Sequence, residues 1–186
     1  MHGFAYYEVD RNTLTLSRDH AGIKPVYYAE IKEGLVFGSE IKGMLDKVPG
    51  SRKMDNLAVS FMARTGINAL RNTFFTGIKK LLAGETIVYD IASKQITKTH
   101  RVHIKPISDK DFDPKEFTRM ANKTVEMCSI GRRKIGVFLS GGLDSTYIHS
   151  KNISQNFISM GISGKDFNSE LNNIKKFVKK KKFNHN

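Results

Sequence analysis

Ile135-Gly136-Val137-Phe138-Leu139, followed directly by Ser140-Gly141-Gly142-Leu143-Asp144-Ser145-Thr146, is the most informative stretch of this chain. Its first five residues form an unbroken apolar run, the pattern of a strand buried on both faces of a parallel sheet. The two adjacent glycines let the backbone approach a bulky anion and adopt dihedrals closed to other residues. The helix expected to start behind them presents unpaired N–H groups and a partial positive charge. Hydroxyls on Ser140, Ser145 and Thr146 add donors. Together these make a cradle for phosphate or pyrophosphate at the carboxyl end of a strand, where open α/β sheets place their ligands. Asp144 would repel a bare phosphate, so it makes sense as the holder of a magnesium ion or as an organiser of the loop. The spacing fits neither GxxxxGK(S/T) nor GxGxxG.

Around this loop the rhythm is helix, strand, helix, strand, helix. Asp113-Pro114-Lys115-Glu116 carries a full helix start signal, with Asp as cap, Pro at the first helical position and Glu three residues after the cap. Phe117, Met120, Ala121, Thr124 and Cys128 recur at helical spacing, which puts Cys128 on the expected buried stripe, and Gly131 offers a stop. A second strand is expected over 156–162. Asn168-Ser169-Glu170 opens a last helix, with Leu171, Ile174, Phe177 and Val178 facing inward and lysines facing outward. This βαβα order implies a parallel sheet with right-handed crossovers.

Upstream, the first hundred residues read as β-rich. Phe4 to Val9 is aromatic and apolar, Asp10-Arg11-Asn12 is turn chemistry, and Thr13 to Ser17 alternates like a hairpin partner. Arg18 to Pro25 reads as a loop, 26–28 and 34–38 as strands, and Ser39 as the cap of a short helix whose Ile41, Met44 and Leu45 share a face. A short helix is expected over 55–65, and Gly84-Glu85-Thr86-Ile87-Val88-Tyr89-Asp90 as a turn feeding a strand. Residues 101–112 hold little periodicity and form the expected linker. The fold class is therefore α/β in two parts, 1–100 and 113–186, with sheet edges left uncovered.

The chain has 186 residues, with 39% hydrophobic residues and 26% charged ones, near globular norms. No apolar run approaches the roughly 18 residues of a membrane span. With no signal-peptide pattern and a lone cysteine, the expectation is a soluble, cytoplasmic protein without an intramolecular disulfide. The net charge is +13, of which residues 101–186 carry +9. Six lysines fall after Leu171 with no acid among them. Such a block is a footprint for a polyanion or a solvated helix face, and the solvated face accounts for it with less. Nucleic acid is not expected as a partner.

The segment IGVFLSGGLDST resembles the pyrophosphate loop of the ATP pyrophosphatases, which activate a carboxylate or carbonyl as an adenylate. RDHAGIKPVYY (18–28) and FGSEIK (37–42) resemble the later part of a class II glutamine amidotransferase domain, and Gly84-Glu85-Thr86 its closing strands. Glutaminase followed by this loop is the order of the glutamine-hydrolysing asparagine synthetase family. The resemblance implies a partial Ntn-hydrolase-type sandwich, the C-terminal part of a class II glutaminase domain. Beyond it, the first βαβα of an adenine-nucleotide-binding sheet forms the N-terminal part of the synthetase domain. It implies glutamine hydrolysis to ammonia at one site and, at the other, adenylation of the aspartate side chain with release of pyrophosphate and attack by ammonia. ATP and Mg2+ are the implied cofactors, and aspartate, glutamine and ATP the small-molecule partners. Ser140, Gly141, Gly142, Leu143, Asp144, Ser145 and Thr146 take the pyrophosphate, backbone groups of Leu139 and Met160 the adenine, and Asp144 the metal.

The family's glutaminase nucleophile is an N-terminal cysteine, whereas residue 2 here is His2 and the glutamine-binding segments expected before Gly3 are missing. The family's later SGEG-type loop is missing as well. The chain is therefore expected to be an internal slice or the product of a truncated or split gene, completed by another chain or a second copy. A β-lactam-synthetase-like relative with another acceptor, or an inactive remnant, are the alternatives. Arg18 and Asp19 are expected to pin a loop by an ion pair. One of Tyr27 and Tyr28 should be core and the other partly wet. His100, His103 and His185 read as surface residues.

Overall fold

A computed structural model describes residues 1–102, 104–132, 135–151, 156–158 and 168–181. The chain divides into two compact units, Met1–Pro106 and Ile107–Asn186. Among the described residues, no helix is long and apolar enough to cross a membrane.

The first unit contains two antiparallel sheets. Strands β1 (Gly3–Glu8) and β2 (Thr13–Arg18) form a hairpin in register from Gly3 opposite Arg18 to Glu8 opposite Thr13. The turn suits its residues: Asn12 takes φ 50° and its Oδ1 accepts a hydrogen bond from Tyr7 Oη at 3.0 Å. With β6 (Glu85–Asp90) and β7 (Gln95–Arg101) they complete a sheet in the order β1-β2-β6-β7. The second sheet has the order β4-β3-β5, from β3 (Tyr27–Ile31), β4 (Gly34–Gly38) and β5 (Lys79–Lys80). Leu16 and Ile87 of the first sheet and Tyr28 of the second close one apolar cluster with Val26 and Leu81. Ala29, the next residue along β3, turns to the opposite face and packs with Met44, Val48 and Ile78. The period-two alternation of a strand thus buries both faces of the smaller sheet. Tyr28 is core and Tyr27 half-buried, as the alternation requires. Strand β1 is an edge, and Phe4, Tyr6 and Tyr7 on it stay exposed.

Helix α1 (Asn56–Thr65) is capped by Asp55, which accepts from the Ala58 N–H at 3.0 Å, and it ends on Gly66 at φ 75°. Residues 41–43 form a single 3-10 turn rather than the start of a helix. Glu40, not Ser39, stands at its cap position, and no side chain bonds there. The turn begins one residue too late for Ser39 to stand at its cap.

In the second unit, α2 (Pro114–Cys128) starts as its sequence requires, with Asp113 accepting from the Lys115 N–H at 2.8 Å and Pro114 in the first turn. Three details differ from expectation. Glu116 does not reach back to the cap but forms a bidentate pair with Arg119 at 2.7 and 2.6 Å. The helix stops at Ser129, whose N–H bonds back to Glu126, before Gly131 is reached. Phe117, Met120 and Cys128 are exposed, and the half-buried line runs through Ala121 and Val125 instead. The stripe's phase is therefore rotated relative to the described neighbours. One of these is α3 (Leu143–Ser150), whose Tyr147 Oη donates to Asn122 Oδ1 at 2.8 Å.

Strands β8 (Gly136–Phe138) and β9 (Asn156–Ile158) pair in parallel, with Val137 opposite Phe157. The expected burial of β8 on both faces is not seen: Phe138 is 72% exposed. The remainder of the strand expected over 156–162 lies outside the described residues. In α4 (Asn168–Lys181), Ile174 is buried and Phe177 half-buried, its ring edge-on to His149 at 5.8 Å. Lys175, Lys176 and Lys179 point to solvent.

Candidate functional site

The loop between β8 and α3 is built from short local bonds. Leu139, the residue after β8, is 1% exposed and anchors the start of the loop. Gly141 takes φ 82°, a conformation that favours glycine. Gly142 then occupies the cap position of α3, and the Thr146 N–H closes the first helical bond onto its carbonyl at 3.2 Å. No side chain caps this helix end, so its first N–H groups are left for a ligand or for water.

Ser145 organises the interior of the turn. Its Oγ accepts from the Ser140 N–H at 3.2 Å, lies 3.0 Å from Ser140 Oγ and approaches the Gly142 carbonyl at 3.4 Å. Ser140 Oγ in turn accepts from the Gly142 N–H at 3.3 Å. Three of these four contacts are long, and an oxyanion could replace them without leaving a strong bond unmade. Leu143 and Asp144 stand exposed on the first turn of α3. The loop thus brings Ser140, Gly141, Gly142, Asp144, Ser145 and Thr146 into one short segment. The donor set (hydroxyls, backbone N–H groups and one free carboxylate) fits a metal-bound polyphosphate. Among the described residues no group of three metal-binding side chains is found, so any ion here would be held largely by phosphate oxygens and water, as magnesium often is. Met160, His103 and His185 lie outside the described residues, and His100 is exposed.

In the first unit, Arg18 and Asp19 pin their loop without pairing with each other. Arg18 donates from Nε to the Lys24 carbonyl at 3.0 Å, from Nη1 to that of Leu81 at 2.7 Å and from Nη2 to that of Gly22 at 2.5 Å. Asp19 accepts from the N–H groups of Ile23 and Lys24 at 3.0 and 2.9 Å. These bonds, the one from Lys24 first, hold its carboxyl well below the usual carboxylate range. The expected ion pair is replaced by side-chain bonds to backbone, because the tight turn at Gly22 (φ 66°) points its carbonyls at Arg18 and its amides at Asp19. Behind this loop lies a polar cluster that sequence spacing did not reveal. Arg71 donates to both carboxylate oxygens of Glu85 at 2.9 and 2.5 Å and to Tyr28 Oη at 3.1 Å. The three residues come from three separate segments, so no local motif marks the cluster.

Two families match the chain in succession: one described as a glutamine amidotransferase domain, over residues 1–101, and one described as asparagine synthase, over residues 116–185. Among its relatives, asparagine synthetase (glutamine-hydrolyzing) 2 of Bacillus subtilis is 26% identical over 166 residues, covering 80% of this chain and 22% of the relative. Asparagine synthetase (glutamine-hydrolyzing) 3 of the same organism is 28% identical over 151 residues, 78% of this chain and 24% of the relative. Asparagine synthetase (glutamine-hydrolyzing) 1 is 26% identical over 195 residues, 96% of this chain and 31% of the relative. The chain belongs to the glutamine-hydrolysing asparagine synthetase family. It spans less than a third of the length of these curated relatives.

Proposed function

We infer that residues 139–146 bind ATP, and that within a complete synthetase this segment serves the ATP-dependent amidation of the aspartate side-chain carboxylate. In this reading 1–100 contribute the later part of the glutaminase domain, 101–112 a linker and 113–186 the opening of the synthetase domain. Glutamine hydrolysis supplies ammonia. The aspartate carboxylate attacks the α-phosphorus of ATP, the bond to the β,γ-pyrophosphate breaks, and an aspartyl adenylate forms. Ammonia then displaces AMP, leaving the amide. A carboxylate is a poor electrophile, whereas AMP leaves readily, so the adenylate makes the attack feasible.

The observation that carries this reading is the open cap of α3, with Gly141 in a left-handed conformation and the Ser140 and Ser145 hydroxyls 3.0 Å apart. Charge grows on the departing pyrophosphate, and preformed donors aimed at that charge stabilise it without reorganising. The Ser140 and Ser145 hydroxyls, the Gly142 N–H and the free N–H groups of the first turn fill that role. Leu139 and Met160 offer backbone groups to the adenine. Asp144 would hold magnesium, which when bound neutralises part of the phosphate charge.

Titration of the full chain with Mg-ATP tests the assignment. Saturable binding is expected, weakened at least tenfold by Asp144→Ala, a substitution at an exposed position that leaves the fold unaffected. Unchanged affinity in that variant would overturn the assignment. Exchange of labelled pyrophosphate into ATP, dependent on aspartate, separates adenylation from binding alone.

A further inference from the structure

A cavity of about 360 Å³ opens in the first unit, far in sequence from the nucleotide loop, between Leu14, Ile31, Leu35 and Ile91. Its size falls within the usual range of small-molecule sites. Glu33 and Lys94 stand on its lining, both exposed, one acidic and one basic. Tyr89 also lines it. This side chain is 3% exposed, and its hydroxyl has no hydrogen-bond partner. A buried hydroxyl without a partner is unfavourable, and it is therefore a candidate for pairing with something the chain itself does not supply.

The placement of Tyr89 is specific. The β6–β7 register slips between Val88 and Tyr89, so one residue of β7 is unopposed there. The unopposed residue is Thr97, whereas Tyr89 keeps the regular alternation of β6, on the buried face with Glu85 and Ile87. Gly34 lies close to the hydroxyl: a Cβ at that position would sit 3.7 Å from Tyr89 Oη, in van der Waals contact with it. Lys94 reaches the rim from a tight turn at φ 57°, held by a bond from the Ser93 N–H to Asp90 Oδ1 at 2.6 Å. Burial, then the charges of Glu30 and Asp90, push the Tyr89 hydroxyl above its ordinary pKa, so it remains a neutral donor. Those two acids are engaged elsewhere, Glu30 with Lys79 at 3.2 Å and Asp90 with Ser93. Glu33 has no ion-pair partner among the described residues, and Lys94 makes only a 3.4 Å contact to the Lys32 carbonyl.

We propose that this cavity binds a free α-amino acid with an aliphatic side chain. Its carboxylate is held by Lys94 and the Tyr89 hydroxyl, its ammonium by Glu33, and its side chain by the walls of Leu14, Ile31, Leu35 and Ile91. An acid and a base across an apolar floor match a zwitterion with an apolar tail better than they match a purely charged or a purely apolar molecule. The site is independent of the nucleotide reading and would stand if that reading failed.

Calorimetric titration of the full chain with L-leucine tests it. One-to-one binding is expected, at least fivefold weaker for 4-methylpentanoate, which lacks the ammonium, and for 3-methylbutylamine, which lacks the carboxylate. Glu33→Gln and Lys94→Gln, both at exposed positions, should each weaken leucine binding at least fivefold. Tyr89→Phe should weaken it severalfold while the melting temperature holds or rises, because no internal hydrogen bond is lost. Absence of leucine binding, equal binding of all three ligands, or a Tyr89→Phe variant that binds leucine unchanged would each overturn the proposal.

Discussion

Replacing Arg71 by methionine while Glu85 stays in place should destabilise the first unit by about 3–5 kcal/mol, the usual cost of stranding one half of a buried ion pair. The structure explains why the loss is lopsided. Glu85 is 1% exposed and receives two bonds from Arg71 and one from the Leu82 N–H at 2.8 Å. Without the guanidinium, a dry carboxylate keeps a single donor, and Tyr28 Oη loses its partner too. Arg71 is one-third exposed, so the reverse change leaves a cation that water can reach. Glu85→Gln should therefore cost less, about 1–3 kcal/mol, the range for a weakened buried hydrogen bond. Changing both residues to methionine removes the stranded charge and leaves the Leu82 N–H unpaired, again about 1–3 kcal/mol. The expected order of loss is Arg71→Met first, with the double variant recovering part of it. Urea unfolding followed by circular dichroism gives each value by linear extrapolation. The reasoning fails if Arg71→Met costs under about 1 kcal/mol, or if the double variant is less stable than Arg71→Met.

Two further outcomes follow from single residues. Asp19 and Asp55 both have carboxyls depressed below 3.8, Asp19 first by the Lys24 N–H and Asp55 first by the Asn72 amide. A depressed carboxyl stabilises the fold fully above its unfolded pKa, and that contribution is lost as pH falls through the folded value. The urea midpoint should thus fall on acidification below about pH 5, and the Asp19→Asn, Asp55→Asn double variant should show a shallower fall; an identical slope would count against these bonds. Gly84→Ala forces a Cβ to 2.9 Å from the Val102 carbonyl oxygen at φ 73°, where the backbone conformation alone costs about 1–3 kcal/mol. Gly43→Ala, with nothing within 4 Å of the new atom, serves as its control and should shift stability by less than about 0.5 kcal/mol in unfolding measurements.

The parts of the fold visible in the sequence are those fixed by neighbours along the chain. The hairpin over 3–18 is readable because Asn12 sits where the turn needs a left-handed residue. The start of α2 is readable because Asp113 and Pro114 act within one turn. The same holds for the loop at 140–146, whose internal bonds join residues no more than five apart. Alternation along β3 placed Tyr28 inside and Tyr27 half inside. What failed depends on partners distant in sequence. The phase of α2 is set by which of its faces meets a neighbour, and the repeat of Phe117, Met120 and Cys128 carries no information about that. Phe138 belongs to an apolar run, but a run shows only that cover is favourable, not that the described residues supply it. Ser39 had the right chemistry for a cap, but the turn starts one residue later and puts Glu40 at the cap position.

Long-range dependence also explains why the two candidate sites differ in legibility. The proposed nucleotide loop is a contiguous string, and its conformation depends on backbone dihedrals that two glycines announce. The cavity beside Tyr89 draws Leu14, Ile31, Glu33, Leu35 and Lys94 from three stretches of chain, and it forms where a buried phenol on β6 meets a residue with no side chain. The meeting of Tyr89 with Gly34 has no signature in the local sequence: an alternating strand does not say which residue of another strand its buried side chains will face. A contiguous anion loop can therefore be inferred from composition and spacing, whereas a site assembled across a sheet becomes visible only when an unpaired buried hydroxyl is found in the folded chain. That hydroxyl sets a condition on any ligand for the cavity: the molecule must supply an acceptor to Tyr89, or it gives up the gain that would distinguish it from water.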